Sequence, residues 1–144
     1  MAADRNVSRA RVVARHLLSA DLRSDVSMPT TELQAIVRFR FHDGAVEEFK
    51  RLSAQCMEIV RAHDTGTLQY DTFFNDDETE CIVVERFRDS EALIQHGENL
   101  AHLMDAIIAT GTVGGELLGD LSAELRSRFA DDGPVQLFTP WLRM

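Results

Sequence analysis

The class this sequence predicts is α+β, with one sheet backed by helices. Three observations predict it. Residues 31–41 alternate apolar and polar side chains, residues 45–63 repeat apolar side chains every three or four positions, and two further strand-like stretches follow across a short acidic turn.

Residues 1–30 read as an extension to a domain spanning residues 31–144. Within the extension, Val12, Val13, His16, Leu17 and Leu18 suggest a short helix over residues 8–22, and a polar, Pro29-containing linker follows. Met28 in that linker is an alternative start. In the first strand, Leu33, Ala35, Val37, Phe39 and Phe41 share one face, and Gln34, Ile36, Arg38 and Arg40 the other. His42-Asp43-Gly44 ends it, with Asp43 placed to cap the next helix. That helix, residues 45–63, buries Val46, Phe49, Leu52, Cys56, Ile59 and Val60 and wets Glu47, Glu48, Lys50 and Arg51. Asp64-Thr65-Gly66 breaks the chain.

Residues 67–74 and 80–87 form a hairpin around the acidic turn 75–79. A second helix starts at Asp89-Ser90, with Ser90 as candidate cap, hesitates at Gly97 and resumes over residues 100–109. Residues 112–118 form a strand between Gly111 and Gly119. Ser122 caps a short helix over residues 123–130, and residues 135–141 form a last strand. The order is β-α-β-β-α-β with an appended helix and strand, the ferredoxin-like order. Such a sheet leaves one face uncovered, and the mixed face bearing Ile36 would be wet in a monomer. Two sheets facing each other across a two-fold axis bury it, so a homodimer closing a dimeric α/β barrel is expected.

Charge and composition exclude several function classes. The net charge is −9; residues 1–30 hold five arginines and three aspartates, a net +2, which leaves −11 for the rest. A domain that acidic repels phosphate backbones, so no nucleic-acid partner is expected. The basic extension is either a solvated helix or a tail touching an acidic surface, such as a neighbouring subunit. No apolar run is long enough for a membrane helix, and the first residues lack the pattern of a secretory signal. Cys56 and Cys81 fall on different elements without metal-ligand spacing, which reads as two reduced thiols in the cytoplasm and no metal. Phosphate-loop, dinucleotide, nucleophile-elbow and His-Glu-x-x-His motifs are absent; Thr110-Gly-Thr-Val-Gly-Gly115 is glycine-rich but leads into a strand.

The run Gly66-Thr-Leu-Gln-Tyr70, then Glu85-Arg-Phe87, then Asp89-Ser-Glu-Ala-Leu-Ile-Gln-His96 resembles the antibiotic-biosynthesis monooxygenase family over roughly residues 32–118. The tail from Gly119 to Pro140 looks like a quinol-monooxygenase-like subgroup that adds a helix and a strand. The sequence departs from the family at one point. Where many members place a second histidine five residues after the first, this chain has Asn99 at the preceding hydroxyl position, Ala101 next, and His102 one position later.

The resemblance implies an oxygenase that uses neither metal nor flavin. It would bind a small electron-rich aromatic, a quinol or polyketide-like ring, and oxidise it with molecular oxygen. Such a site needs an apolar pocket between sheet and helices, a base and a few orienting donors. His96 is the candidate base or orienting donor, or else a structurally bonded histidine. Asn99 orients a substrate oxygen or caps the helix from Leu100. Glu85, between Val83 and Phe87 on an apolar face, either pairs with Arg38 or Arg40 or is an acid–base group with a raised pKa. Tyr70, Phe74, Phe39 and Trp141 are candidate pocket aromatics or ordinary core. The same fold also serves isomerases, haem-degrading oxygenases and non-catalytic dimeric binding or stress-response modules, and these are the alternatives.

Overall fold

A computed structural model describes residues 30–144; the expected helix over residues 8–22 and most of its linker lie outside them. Thr31–Thr139 forms one compact unit. Its elements run β1 (Leu33–Phe41), α1 (Val46–His63), β2 (Thr67–Phe74), β3 (Glu80–Phe87), α2 (Ser90–Ile108), β4 (Gly111–Leu118), α3 (Ala123–Ser127) and β5 (Val135–Phe138). The fold is the expected α+β, ferredoxin-like order with an appended helix and strand.

The strands form one five-stranded sheet in the order β2-β3-β1-β4-β5. All neighbours are antiparallel except β4 and β5, which run parallel because α3 carries the chain back between them. The apolar face of β1 packs inward, with Leu33, Ala35 and Phe39 buried against Cys81, Val83 and Phe87 of β3 and Leu117 of β4. From the helix side come Phe49, Leu52, Cys56 and Val60 of α1 and Leu100 and Ile107 of α2. Among the described residues the other face of the sheet stays open. Arg38 pairs there with Glu116, and Arg40 with Glu80 at 2.7 Å, while Ile82 and Phe73 remain 40% and 57% exposed.

Several local details differ from the sequence expectation. The first helix begins at Val46, and Ala45 is its N-cap with no side-chain bond, so Asp43 does not cap it. Instead the Ala45 N–H donates to the His42 carbonyl at 3.0 Å, closing a turn. The second helix does not hesitate at Gly97. Its buried stripe of Ala92, His96, Leu100 and Ile107 spans the glycine, and packing of that stripe outweighs the weak local propensity. Its cap is Asp89, whose carboxylate accepts from the Ala92 N–H at 2.9 Å. The Ser90 hydroxyl accepts from the Ser122 N–H instead, at 2.9 Å, tying the start of α2 to the approach of α3.

Ser122 caps α3 through the Leu125 N–H, as expected, but α3 ends at Ser127. The last strand stops at Phe138, just before Pro140, which has no N–H for a ladder. The glycine-rich run from Gly111 is itself strand. A Cβ on Gly115 would sit 2.2 Å from the Ile36 carbonyl oxygen, so glycine there lets β4 close onto β1.

Candidate active site

Register places Glu85. It lies opposite Ala35 on one side and Tyr70 on the other, in a row that points toward the helices. Arg38 and Arg40 fall on the opposite face by strand alternation and are bound to Glu116 and Glu80. Of the two readings of Glu85, the pairing with Arg38 or Arg40 is therefore not the one that the register allows, and among the described residues no lysine or arginine forms an ion pair with it. Its side chain is 14% exposed. Burial, and then the charge of Asp64, push its pKa from 4.5 up to about 7.

His96 sits mid-helix on α2, buried between the edges of two rings: Tyr70 at 5.3 Å and Phe87 at 5.1 Å between centroids. Its Nδ1 lies 2.7 Å from Asp64 Oδ2. Its Nε2 lies 3.8 Å from Glu85 Oε1, beyond hydrogen-bond length. Asp64 is the C-cap of α1, and its side chain is 2% exposed. Thr67 Oγ1 donates to it at 2.6 Å and Asn99 Nδ2 at 2.7 Å. Burial alone would raise the Asp64 pKa, but the hydrogen bonds from Thr67, Asn99 and His96 outweigh it and hold the carboxyl below its ordinary value. An ionised carboxylate only accepts, so His96 Nδ1 donates, and in the neutral ring Nε2 is the bare acceptor.

Asn99 therefore neither caps a helix nor reaches the cavity. It sits within the continuous α2 and helps fix Asp64. The sequence assigns no role to Asp64 or Thr67, since residues 64–66 have only the composition of a break. One signal was present. A carboxylate at the C-terminal end of a helix opposes the helix dipole, so an Asp there needs partners of its own.

A cavity of about 300 Å³ lies between the sheet and the two long helices. Glu85, His96, Tyr70 and Phe39 line it together, with Phe49, Leu100, Met104 and Ile107 as apolar wall. Ser53 and Thr72 add hydroxyls, and among the described residues no lysine or arginine is part of the lining. Burial above all raises the Tyr70 pKa from its ordinary value, so its hydroxyl is a donor and not a base. Phe74 lies apart from the lining and packs on Phe41 and Phe49, with Lys50 Nζ 5.4 Å from its ring centre. Trp141 follows the last strand, outside the Thr31–Thr139 unit, and is 91% exposed. Among the described residues, no group of three or more His, Cys, Asp and Glu side chains is arranged to hold a metal ion.

A family model described as antibiotic biosynthesis monooxygenase matches residues 33–104, which include Glu85, His96 and Asp64. Among solved structures, the chain is similar to MupZ from Pseudomonas fluorescens, with a TM-score of 0.68 and 23% identity over 82% of this chain and 91% of that one. It is similar to SnoaB from Streptomyces nogalater, described as a cofactor-independent oxygenase, with a TM-score of 0.55 and 19% identity over 72% of this chain and 100% of that one. It is also similar to Rv0793 from Mycobacterium tuberculosis, with a TM-score of 0.56 and 23% identity over 63% of this chain and 96% of that one. At these identities the likeness is one of fold. Among curated proteins no sequence matches at a significant level.

Proposed function

The chain belongs to the antibiotic biosynthesis monooxygenase family, and from that premise we propose that it oxidises a small, electron-rich aromatic, a quinol or polyketide-like ring, with molecular oxygen and without an added cofactor. The observation that carries this reading is the Asp64–His96 pair, whose Nε2 edge borders an apolar cavity beside the buried Glu85. The description of SnoaB as a cofactor-independent oxygenase supports it.

In this reading His96 Nε2 takes the proton of a ring hydroxyl, and the Asp64 carboxylate stabilises the imidazolium that forms. The ring anion then reacts with oxygen. One oxygen atom bonds to a ring carbon in place of hydrogen, and the other leaves as water with two protons. The substrate supplies all four electrons. Glu85, protonated for part of the population at neutral pH, donates a hydrogen bond to the developing oxyanion. The buried carboxyls Glu85 and Asp64 beside an otherwise apolar wall favour a substrate that enters uncharged.

The test is oxygen consumption with a panel of hydroquinones. His96→Ala is expected to slow it roughly 10²- to 10⁴-fold, the range of acid–base catalysis. An unchanged rate would remove His96 from the mechanism. A second reading uses the same pair of groups. An acid and a base 3.8 Å apart also suit proton transfer in an isomerase. Product made under ¹⁸O₂ separates the two, since an isomerase gives no labelled oxygen and no change in mass.

The open sheet face, with Ile82 and Phe73 exposed, supports assembly as a homodimer that closes the barrel. Cys56 and Cys81 are free and buried, which fits a reducing cytoplasm. Among the described residues no helix is long and apolar enough to cross a membrane.

A further inference from the structure

Gly97 has no evident structural reason to be glycine. It sits inside the unbroken helix α2, where glycine is among the poorest choices because of its backbone entropy. It is not among the residues with positive φ, so the backbone does not require it. Close packing among the described residues does not require it either, for a Cβ built there meets none of them within 4 Å. Position 97 is nonetheless part of the cavity lining, next in sequence to His96. It shares one edge of the α2 stripe with Met104 and Ile108, which also line the cavity. His96 is buried and Gly97 is exposed, so the wall of the cavity meets solvent between these two adjacent residues.

We infer that Gly97 is a specificity-determining position: its missing side chain holds open the mouth of the cavity beside His96 and admits ligands wider than one ring. This rests on the cavity being the ligand site proposed above. Any side chain at 97 spans space that the described residues leave free, and a long one extends across the mouth. The helix gains from the same substitution, so the fold and the site pull in opposite directions at this residue.

The experiment compares wild type, Gly97→Ala and Gly97→Leu without turnover. Calorimetric titrations under nitrogen use phenol as a one-ring probe and 2-anthrol as a three-ring probe. Gly97→Ala is expected to raise the thermal midpoint by roughly 2–6 °C, the response to a better helix former in a domain of this size. Gly97→Leu is expected to weaken 2-anthrol binding on the order of tenfold or more while phenol binding changes by less than about threefold, with Gly97→Ala between it and wild type. Equal 2-anthrol affinity in wild type and Gly97→Leu would overturn the inference. So would an equal loss for both probes, or a wild type that binds neither. Probe binding with the expected size selection but no oxygen uptake by wild type would sink the oxygenase reading and leave this one standing.

Discussion

Glu85 makes the stability of the fold depend on pH in an unusual direction for a carboxyl. Its pKa rises from 4.5 to about 7 on folding, so between those values the folded chain binds more protons than the unfolded one. Stability from this group is therefore full below about pH 4.5 and is lost as pH rises toward 7. Glu85→Gln removes the penalty. Its thermal midpoint is expected to exceed that of wild type clearly at pH 8, by up to about 3 kcal/mol in stability, and only slightly at pH 5. A constant difference across that range would show that Glu85 is not held neutral by burial. Asp64 works with the opposite sign: its lowered pKa stabilises the fold above roughly pH 4 and gives that up in acid. Glu85 and His96 were legible in the sequence because each is a polar residue on an otherwise apolar face. Asp64 was not, since its partners His96 and Asn99 lie 32 and 35 residues away and only the packing of α1 on α2 brings them together.

At the scale of elements, the caps show what periodicity does and does not report. Asp89 adopts an extended conformation, and its side chain closes the first turn of α2. Asp89→Ala is expected to cost about 1 kcal/mol, read as a lower urea midpoint with an unchanged slope. Ser90→Ala leaves that cap in place and is expected to cost less, so an equal or larger loss from Ser90→Ala would reverse the assignment. Helices and strands were legible from 3.6- and 2-residue spacing because each buries one face. Their ends were less so. Asp43 and Ser90 are good capping types one or two positions from where the turn closes, and residue type alone does not fix that register. Gly97 weakens the local helix propensity, and tertiary packing of the α2 stripe overrides it.

For the whole molecule, the open face of the sheet sets the expectation of assembly. Ile36 and Val84 are cross-strand partners on it, beside Ile82 and Phe73. Light scattering is expected to give twice the 16.2 kDa of the chain. Ile82→Lys, which places a charge that the dimer would bury among the apolar residues of that face beside Phe73 and Val84, is expected to give a monomer. A wild type that runs as a monomer would end the two-fold barrel proposal. The uncovered face was legible in the first strand, where Ile36 lies between Gln34 and Arg38. The parallel pairing of β4 with β5 was not, since strand direction there depends on where α3 delivers the chain.

The two cysteines of the core bear on how long such a molecule lasts. A reaction that lets oxygen combine with a bound ring sheds peroxide whenever an intermediate escapes, and peroxide attacks thiolate in preference to thiol. Burial raises the Cys56 pKa and takes that of Cys81 to about 12, and neither side chain is more than 2% exposed. At neutral pH each sulfur is a closed-off thiol, poorly suited to oxidation from without. The packing that builds the core therefore also shields both thiols from the by-product of the proposed chemistry.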